Sequence, residues 1–101
     1  MDIQERIRHT VQDNSIVLFM KGTPQFPMCG FSARAVQALK GAGAQFALVN
    51  VLEDPEVRAN LPRYSNWPTF PQLYVGGKFV GGCDIVTEMH QNGELASVLK
   101  G

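Results

Sequence analysis

The feature that most constrains the fold is an unbroken apolar run from Ile16 to Met20. A strand with one solvated face alternates polar and apolar residues, whereas a run without alternation indicates a strand covered on both faces, as in a parallel sheet. The sheet that contains this run must therefore carry helices on both of its faces. The run is also far shorter than the roughly 20 residues that a membrane-spanning helix needs, so we expect no transmembrane segment.

The segments around this run predict alternating helices and strands. Asp2 can cap a first helix, which we expect to end near Asp13-Asn14. A second helix, over about residues 30–40, is expected to stop at Gly41, and residues 46–51 predict a second buried strand. A strand, a helix and a strand joined by short connections form a right-handed unit whose two strands are parallel.

A third helix is indicated by its start signal. Asp54 supplies a cap, and Pro55 follows at the first helical position, where proline is favoured. Val57 and Leu61 would form the inner face of this helix. Pro62 is expected to end it early, because proline lacks the N–H that a helix interior needs.

The last third of the chain predicts a hairpin and two helices. Residues 72–75 and 78–80 flank Gly76-Gly77, a dipeptide that permits the positive φ of a two-residue hairpin turn. A helix to about Gln91 and a short final helix follow. The whole order is α-β-α-β-α-β-β-α-α. It predicts a single α/β domain over residues 1–101, with a four-stranded mixed sheet and helices on both faces, and it resembles a thioredoxin-type fold.

Composition excludes several classes of function. Lys and Arg number nine, Asp and Glu also nine, and no basic run is present, so we expect no nucleic-acid partner. Two cysteines do not make a disulfide-rich secreted scaffold. The first residues are charged and lack an apolar signal core, which favours a cytoplasmic protein with reduced thiols.

Cys29 is the candidate reactive residue, because it lies between a buried strand and the first turn of the second helix. Open α/β sheets bind their ligands at the carboxyl ends of such strands. An ordinary thiol of pKa about 8.5 is only a few per cent thiolate at neutral pH, but the free N–H groups of a helix start lower that pKa. Cys29 is therefore expected to be a nucleophile or a metal ligand. The alternative is a buried, inert cysteine, against which the polar and proline-rich context before it argues.

Ser32 occupies the position at which a dithiol oxidoreductase carries its resolving cysteine. Serine cannot close a disulfide, so a mixed disulfide at Cys29 needs an outside thiol or a distant cysteine to resolve it. Cys83 is the internal candidate. A Cys29–Cys83 bond would close a long loop and add about 4 kcal/mol in the chain-entropy model, but only the geometry can decide whether it forms.

Four strings together carry a resemblance to a known family. In chain order they are Lys21-Gly22-Thr23-Pro24, Cys29-Gly30-Phe31-Ser32, Trp67-Pro68-Thr69-Phe70-Pro71-Gln72-Leu73 and Gly81-Gly82-Cys83-Asp84-Ile85. Their order and spacing resemble the monothiol glutaredoxins of the C-G-F-S type over essentially the whole chain. The form resembled is the short, single-domain one of bacteria and mitochondria, and we expect no presequence.

The resemblance implies that glutathione binds in a groove beside Cys29 and that a [2Fe-2S] cluster bridges two protomers. Such a cluster usually takes four thiolates. Two Cys29 thiolates and two glutathione thiolates would complete the set in a homodimer, and the exchangeable glutathione suits a carrier that releases its cluster. Apo iron-sulfur proteins and a BolA-type protein are the partners that the resemblance implies.

The resemblance also assigns the glutathione contacts. Lys21 and Arg58 would bind the glycine carboxylate, and the backbone of Phe70 would pair with the peptide. The free N–H groups at Cys83 and Asp84 suit the γ-glutamyl carboxylate, and the Asp84 carboxylate can meet the ammonium. In the family the proline after Phe70 is cis, which orients the Phe70 backbone toward the cysteine.

Each assignment has a plain structural alternative. Lys21 and Arg58 are otherwise solvated surface charges. Trp67 and Phe70 are otherwise core aromatics, and Asp84 is otherwise only a helix cap.

These residues are compatible with three candidate functions. The first is a cluster carrier, which is not mainly an enzyme. The second is a glutathione-dependent oxidoreductase in which Cys29 attacks glutathionylated substrates. The third is a regulatory module that pairs with another protein through the cluster or the groove. Ser32 and the long loop between Gly22 and Met28 favour the carrier.

Overall fold

The computed structural model describes residues 2–100 and follows the expected order of helices and strands. The elements are α1 (Ile3–Asp13), β1 (Ile16–Met20), α2 (Gly30–Gly41), β2 (Ala47–Asn50), α3 (Pro55–Ser65), β3 (Gln72–Val75), β4 (Lys78–Gly81), α4 (Cys83–Gln91) and α5 (Leu95–Leu99).

The strands form one four-stranded mixed sheet in the order β2-β1-β3-β4. β1 is parallel to β2 and antiparallel to β3, and β4 is antiparallel to β3. The βαβ unit, the hairpin and the mixed sheet predicted from the sequence are therefore confirmed.

Two cores, one on each face of the sheet, explain the apolar run in β1. Leu18 and Met20 point to the core shared with α2, α4 and α5. Val17 and Phe19 point to the core shared with α1 and α3. All four side chains are at most 1% exposed. Successive strand residues face opposite sides, so a strand between two helical layers has no place for a polar residue.

The prediction that β2 is a buried strand is wrong. β2 is an edge strand of four half-buried residues, Ala47–Asn50, with β1 as its neighbour in the sheet. Its first three residues are apolar because each face still packs against one core, Leu48 on one side and Val49 on the other. An apolar run indicates that both faces of a strand are covered, but it does not indicate where the strand lies within the sheet.

The prediction that Pro62 ends α3 is also wrong. The helix continues to Ser65 and ends at Asn66, which has a left-handed φ of 56°, while the Trp67 N–H donates to the Pro62 carbonyl at 3.2 Å. Proline removes one helical hydrogen bond. Burial of Leu61 and packing of Tyr64 against the core hold the last turn in place.

α2 ends at Gly41, within one residue of the predicted end, and Gly41 is its last helical residue. The left-handed glycine after this helix is Gly43, with φ of 76°. Gly41 has a packing role, because a Cβ there would lie 2.8 Å from Nε2 of His90 on α4. The glycine lets α2 and α4 approach each other at this point.

The predicted caps and hairpin turn are confirmed. Asp2 accepts a hydrogen bond from the Glu5 N–H at 2.9 Å, and Asp54 accepts one from the Val57 N–H at 3.3 Å. Both glycines of the hairpin turn have positive φ, 59° and 80°. Across residues 2–100, the model contains no helix with the length and apolar character needed to span a membrane.

Candidate functional site

A cleft of about 710 Å³ opens at the carboxyl end of β1. All six residues singled out from the sequence line it: Lys21, Cys29, Arg58, Phe70, Cys83 and Asp84. The remaining lining residues are Phe31, Pro62, Trp67, Pro68, Thr69, Gly82 and Ile85. Sequence reasoning gave these others no ligand-binding role, because nothing in their types separates a cleft wall from core or surface.

Cys29 is the N-cap of α2, with an extended backbone and a half-buried side chain. The backbone N–H of Ser32 is the main influence that lowers the pKa of the Cys29 thiol. The Phe31 N–H and the positive charge of Lys21 lower this pKa further, while burial partly opposes them. The first turn of α2 therefore stabilises a thiolate, as the sequence predicted.

Ser32 has a structural role that the sequence did not reveal. Its side chain is fully buried, and its Oγ accepts a hydrogen bond from the Lys21 N–H at 3.1 Å. The Ser32 side chain also lowers the pKa of the Cys29 thiol. Ser32 therefore joins the end of β1 to the start of α2, which fixes Lys21 beside Cys29.

The backbone that follows the Lys21 N–H is also held by hydrogen bonds, at the Lys21 carbonyl and the Gly22 N–H. The Lys21 carbonyl accepts from the Met28 N–H at 2.9 Å, and the Gly22 N–H donates to Oδ1 of Asn50 at 2.9 Å. Gly22 has φ of 97°, and a Cβ there would lie 2.5 Å from the Phe26 carbonyl oxygen. The loop before Cys29 is thus folded tightly on a glycine that no other residue replaces without strain.

Lys21 and Arg58 bring two positive charges into the cleft. Lys21 is half-buried and Arg58 is exposed. Within residues 2–100 the salt bridges are made by Arg6, so neither cleft cation is neutralised by a carboxylate of the described chain. Both charges are free to meet an anionic ligand.

Phe70 lines the cleft, and its bond to Pro71 is cis, as the resemblance implied. Its ring packs against the core of α1 and α3, so the side chain has a structural role too. Its backbone N–H and carbonyl make no hydrogen bond to other residues between 2 and 100. These groups are available to an extended peptide.

The start of α4 also lines the cleft. The N-cap of α4 is Gly82, and no side chain caps this helix. Asp84 lies in the first turn, is exposed and is not the cap. Cys83 is only 6% exposed, and its Sγ lies 3.8 Å from Oγ1 of Thr87. Both cysteines that line the cleft, Cys29 and Cys83, are free thiols.

Trp67 closes the cleft behind these residues. Its Nε1 is buried and has no hydrogen-bond partner within residues 2–100. A Cβ at position 82 would lie 3.1 Å from this nitrogen, so Gly82 is what allows the indole to pack against the start of α4.

Three apolar side chains stand exposed around Cys29. Phe26 is 77% exposed, Met28 69% and Phe31 56%. Two of them lie in the loop before the cysteine and one lies in the first turn of α2. Together they make an apolar rim, which the sequence could have indicated only through apolar residues in a loop.

Comparisons with known proteins agree with this fold. A glutaredoxin family model matches residues 16–80. Glutaredoxin 4 of Escherichia coli strain K12 is 57% identical over 96 residues, which are 95% of this chain and 84% of that protein. The solution structure of reduced apo GrxS14 from poplar is 48% identical, with a TM-score of 0.82 over 97% of this chain and 90% of its own. A crystal structure of a buckwheat glutaredoxin–glutathione complex is 27% identical, with a TM-score of 0.83 over 96% of this chain and 86% of its own. The predicted thioredoxin-like architecture is confirmed, and the chain belongs to the glutaredoxin family.

Proposed function

We propose that this chain is a monothiol glutaredoxin that binds glutathione, carries a [2Fe-2S] cluster between two protomers and delivers it to apo-proteins in the cytoplasm. One observation carries the proposal. The cleft presents a single accessible thiol of lowered pKa, Cys29, while the position of a resolving thiol is filled by the fully buried Ser32. Such a site holds a ligand through one sulfur and cannot close the short internal disulfide that would compete.

The charges of the cleft support glutathione as the ligand. Glutathione has two carboxylates, an ammonium group and a peptide backbone. Lys21 and Arg58 are unneutralised cations, and the N–H groups at the start of α4 favour a second carboxylate. Asp84 is exposed in the same turn and suits the ammonium group, while the Phe70 backbone suits the peptide. A buckwheat relative has been crystallised with glutathione.

The donor set supports a cluster that is shared and not enclosed by one chain. Within residues 2–100, no group of three or more His, Cys, Asp and Glu side chains could hold a metal ion. Cys29 is half-buried at the cleft, whereas Cys83 is buried. A cluster with four thiolate ligands fits this chain only when a second protomer and two glutathione molecules supply the rest. We treat the cluster as cargo, and the protein mainly as a carrier.

The apolar rim of Phe26, Met28 and Phe31 supports association at the same place. Exposed apolar patches are typical of surfaces that contact another macromolecule, and these three side chains flank Cys29 in the chain. A second copy bridged by the cluster, an apo iron-sulfur protein that receives it and a BolA-type partner would each approach Cys29 across this rim.

A glutathione-dependent oxidoreductase is the second candidate, and the lowered pKa of Cys29 favours it. The Cys29 thiolate would attack the glutathione sulfur of a mixed disulfide, and the substrate would leave as a thiolate. A second glutathione thiolate would then attack that sulfur, which releases glutathione disulfide and restores Cys29. The third candidate, a regulatory module that pairs with another protein, uses the same rim.

Anaerobic reconstitution with iron, sulfide and glutathione tests the proposal through visible absorption and solution mass. We expect a brown dimer for the wild type and for Cys83→Ser, and a colourless protein for Cys29→Ser or without glutathione. Cys83→Ser is the matched control, because it removes the other thiol of the same cleft. A colourless, monomeric wild type would refute the carrier, and turnover of a glutathionylated substrate would then support the oxidoreductase.

A further inference from the structure

A buried amide lies directly behind the cleft wall. Gln72, the first residue of β3, is fully buried and does not line the cleft. Its Nε2 donates to the Trp67 carbonyl at 3.0 Å and to the Thr69 carbonyl at 3.1 Å. Its Oε1 accepts from the Tyr74 hydroxyl at 3.0 Å. Both donors of the amide and its oxygen are therefore used.

The two loop carbonyls fix the direction in which this amide points. Carbonyl oxygens only accept hydrogen bonds, so the NH₂ group must face them, and Oε1 accepts from the buried Tyr74 hydroxyl. Burial raises the pKa of Tyr74 to about 12, so the hydroxyl keeps its proton throughout the neutral range. A swapped amide would set Oε1 against two carbonyl oxygens and lose both bonds to them, which is costly in a buried place.

The two carbonyls belong to the segment that forms one wall of the cleft. Trp67 is also anchored through its own N–H to the Pro62 carbonyl, but Thr69 makes no backbone hydrogen bond to the rest of residues 2–100. The Gln72 amide is therefore what ties the Thr69 end of the wall to the sheet. Phe70 lies between that tie and β3, so its backbone is held in place while its N–H and carbonyl remain unpaired.

We propose that Gln72 is a positioning residue for peptide binding: through two main-chain carbonyls it sets the wall whose Phe70 backbone pairs with an extended thiol peptide. The ligand class rests on the proposed function, in which that peptide is glutathione. A core role alone would make a different prediction, because any side chain of similar volume would then serve.

Glutathione binding by calorimetry separates these possibilities. Gln72→Met keeps the volume but has no donor, and we expect it to raise the Kd for glutathione about tenfold, as loss of an anchoring hydrogen-bond pair would. Tyr74→Phe is the matched control, because it breaks the same buried network but leaves both bonds to the wall. It should lower the free energy of unfolding while changing this Kd less than about twofold.

Two further readouts make the assignment specific. Trp67 is the single tryptophan and lies in the wall, so its emission without ligand should shift in Gln72→Met and not in Tyr74→Phe. The pKa of Cys29 should be unchanged in both variants, since the groups that lower it belong to α2 and Lys21.

Wild-type binding of glutathione in Gln72→Met, or equal weakening in Tyr74→Phe, would overturn the proposal. Gln72→Asn, whose amide is one methylene too short, replaces Gln72→Met if the latter does not fold. Failure of both variants to fold would assign Gln72 to the core alone. If the wild type itself binds no glutathione, the proposed function fails, and the Trp67 emission still decides whether Gln72 holds the wall.

Discussion

At the scale of single residues, the reactivity of Cys29 could be foreseen but its causes only in part. A cysteine between a strand and a helix start indicates a thiolate, and the backbone N–H groups of Phe31 and Ser32 confirm that cause. From the sequence, Ser32 was notable only because it occupies the position of a resolving cysteine and has no thiol. Its burial and its bond to the Lys21 backbone depend on how closely β1 and α2 approach, which residue types do not state. The same is true of Gln72.

The influences on the Cys29 pKa predict a ranking of variants. Lys21→Met removes a positive charge and should raise this pKa more than Ser32→Ala, which removes only a side-chain bond. Both variants should keep a pKa below that of an ordinary thiol, because the Ser32 backbone N–H remains. Thiolate absorbance at 240 nm against pH measures this.

The sign of the pH dependence follows from the lowered pKa. Alkylation of Cys29 should slow as pH falls through that pKa, because the thiolate is lost, and both variants should move the curve to higher pH. Arg58→Ala is the control, since Arg58 lines the cleft but does not shift this pKa. An unmoved curve in Lys21→Met would contradict the role of Lys21.

The two cysteines should differ in reactivity. Cys29 is half-buried with a lowered pKa, whereas Cys83 is buried beside Thr87. At neutral pH in the reduced protein, we expect iodoacetamide to modify Cys29 at least about tenfold faster than Cys83. Peptide mass spectrometry over time gives both rates, and equal rates would show that α4 opens readily at its start.

At the scale of elements, local signals predicted the ends of α1, α2 and α4 to within about one residue, and the end of α3 is the exception. Asp54 with Pro55 marked the start of α3 correctly, because a cap is a bond between near neighbours. The prediction that Pro62 ends α3 was wrong, because a helix interior tolerates proline when residues on the opposite face of the helix are buried. The edge position of β2 was not predictable from its own residues, since strand order depends on what the whole chain packs together.

The α3 cap offers a stability test. Asp54 caps α3 and also pairs with Arg6 of α1 at 2.8 Å, whereas Asp2 only caps α1. We expect Asp54→Ala to lower the free energy of unfolding by about 1 to 2 kcal/mol and Asp2→Ala by less. Urea unfolding of both variants measures the difference, and equal losses would show that the Arg6 pair contributes nothing.

At the scale of the whole molecule, one sheet separates two cores, and the two-sided apolar character of β1 predicted this arrangement. The cleft was predicted as well, because the carboxyl ends of strands and the starts of helices meet at one edge of such a sheet. Its depth and the exposed rim of Phe26, Met28 and Phe31 were not predicted, since they depend on the path of one loop.

The two cores should unfold together. Leu39 lies in the core of α2 and α4, and Leu61 in that of α1 and α3, and both are fully buried. Truncation to alanine should cost about 2 to 5 kcal/mol at either site. In each variant, far-ultraviolet circular dichroism and Trp67 emission should report one shared unfolding midpoint. Separate midpoints would mean that the faces of the sheet are independent folding units.

Much of what this cleft offers to a ligand is main chain. The N–H groups of Ser32 and Phe31 act on the thiolate, and the Phe70 backbone and the first turn of α4 are free to pair. A scan that truncates side chains to alanine leaves such groups untouched, so it will record fewer important positions than the cleft contains. Replacement of single amide linkages by esters, which deletes one N–H at a time, would detect the part of the site that alanine variants miss.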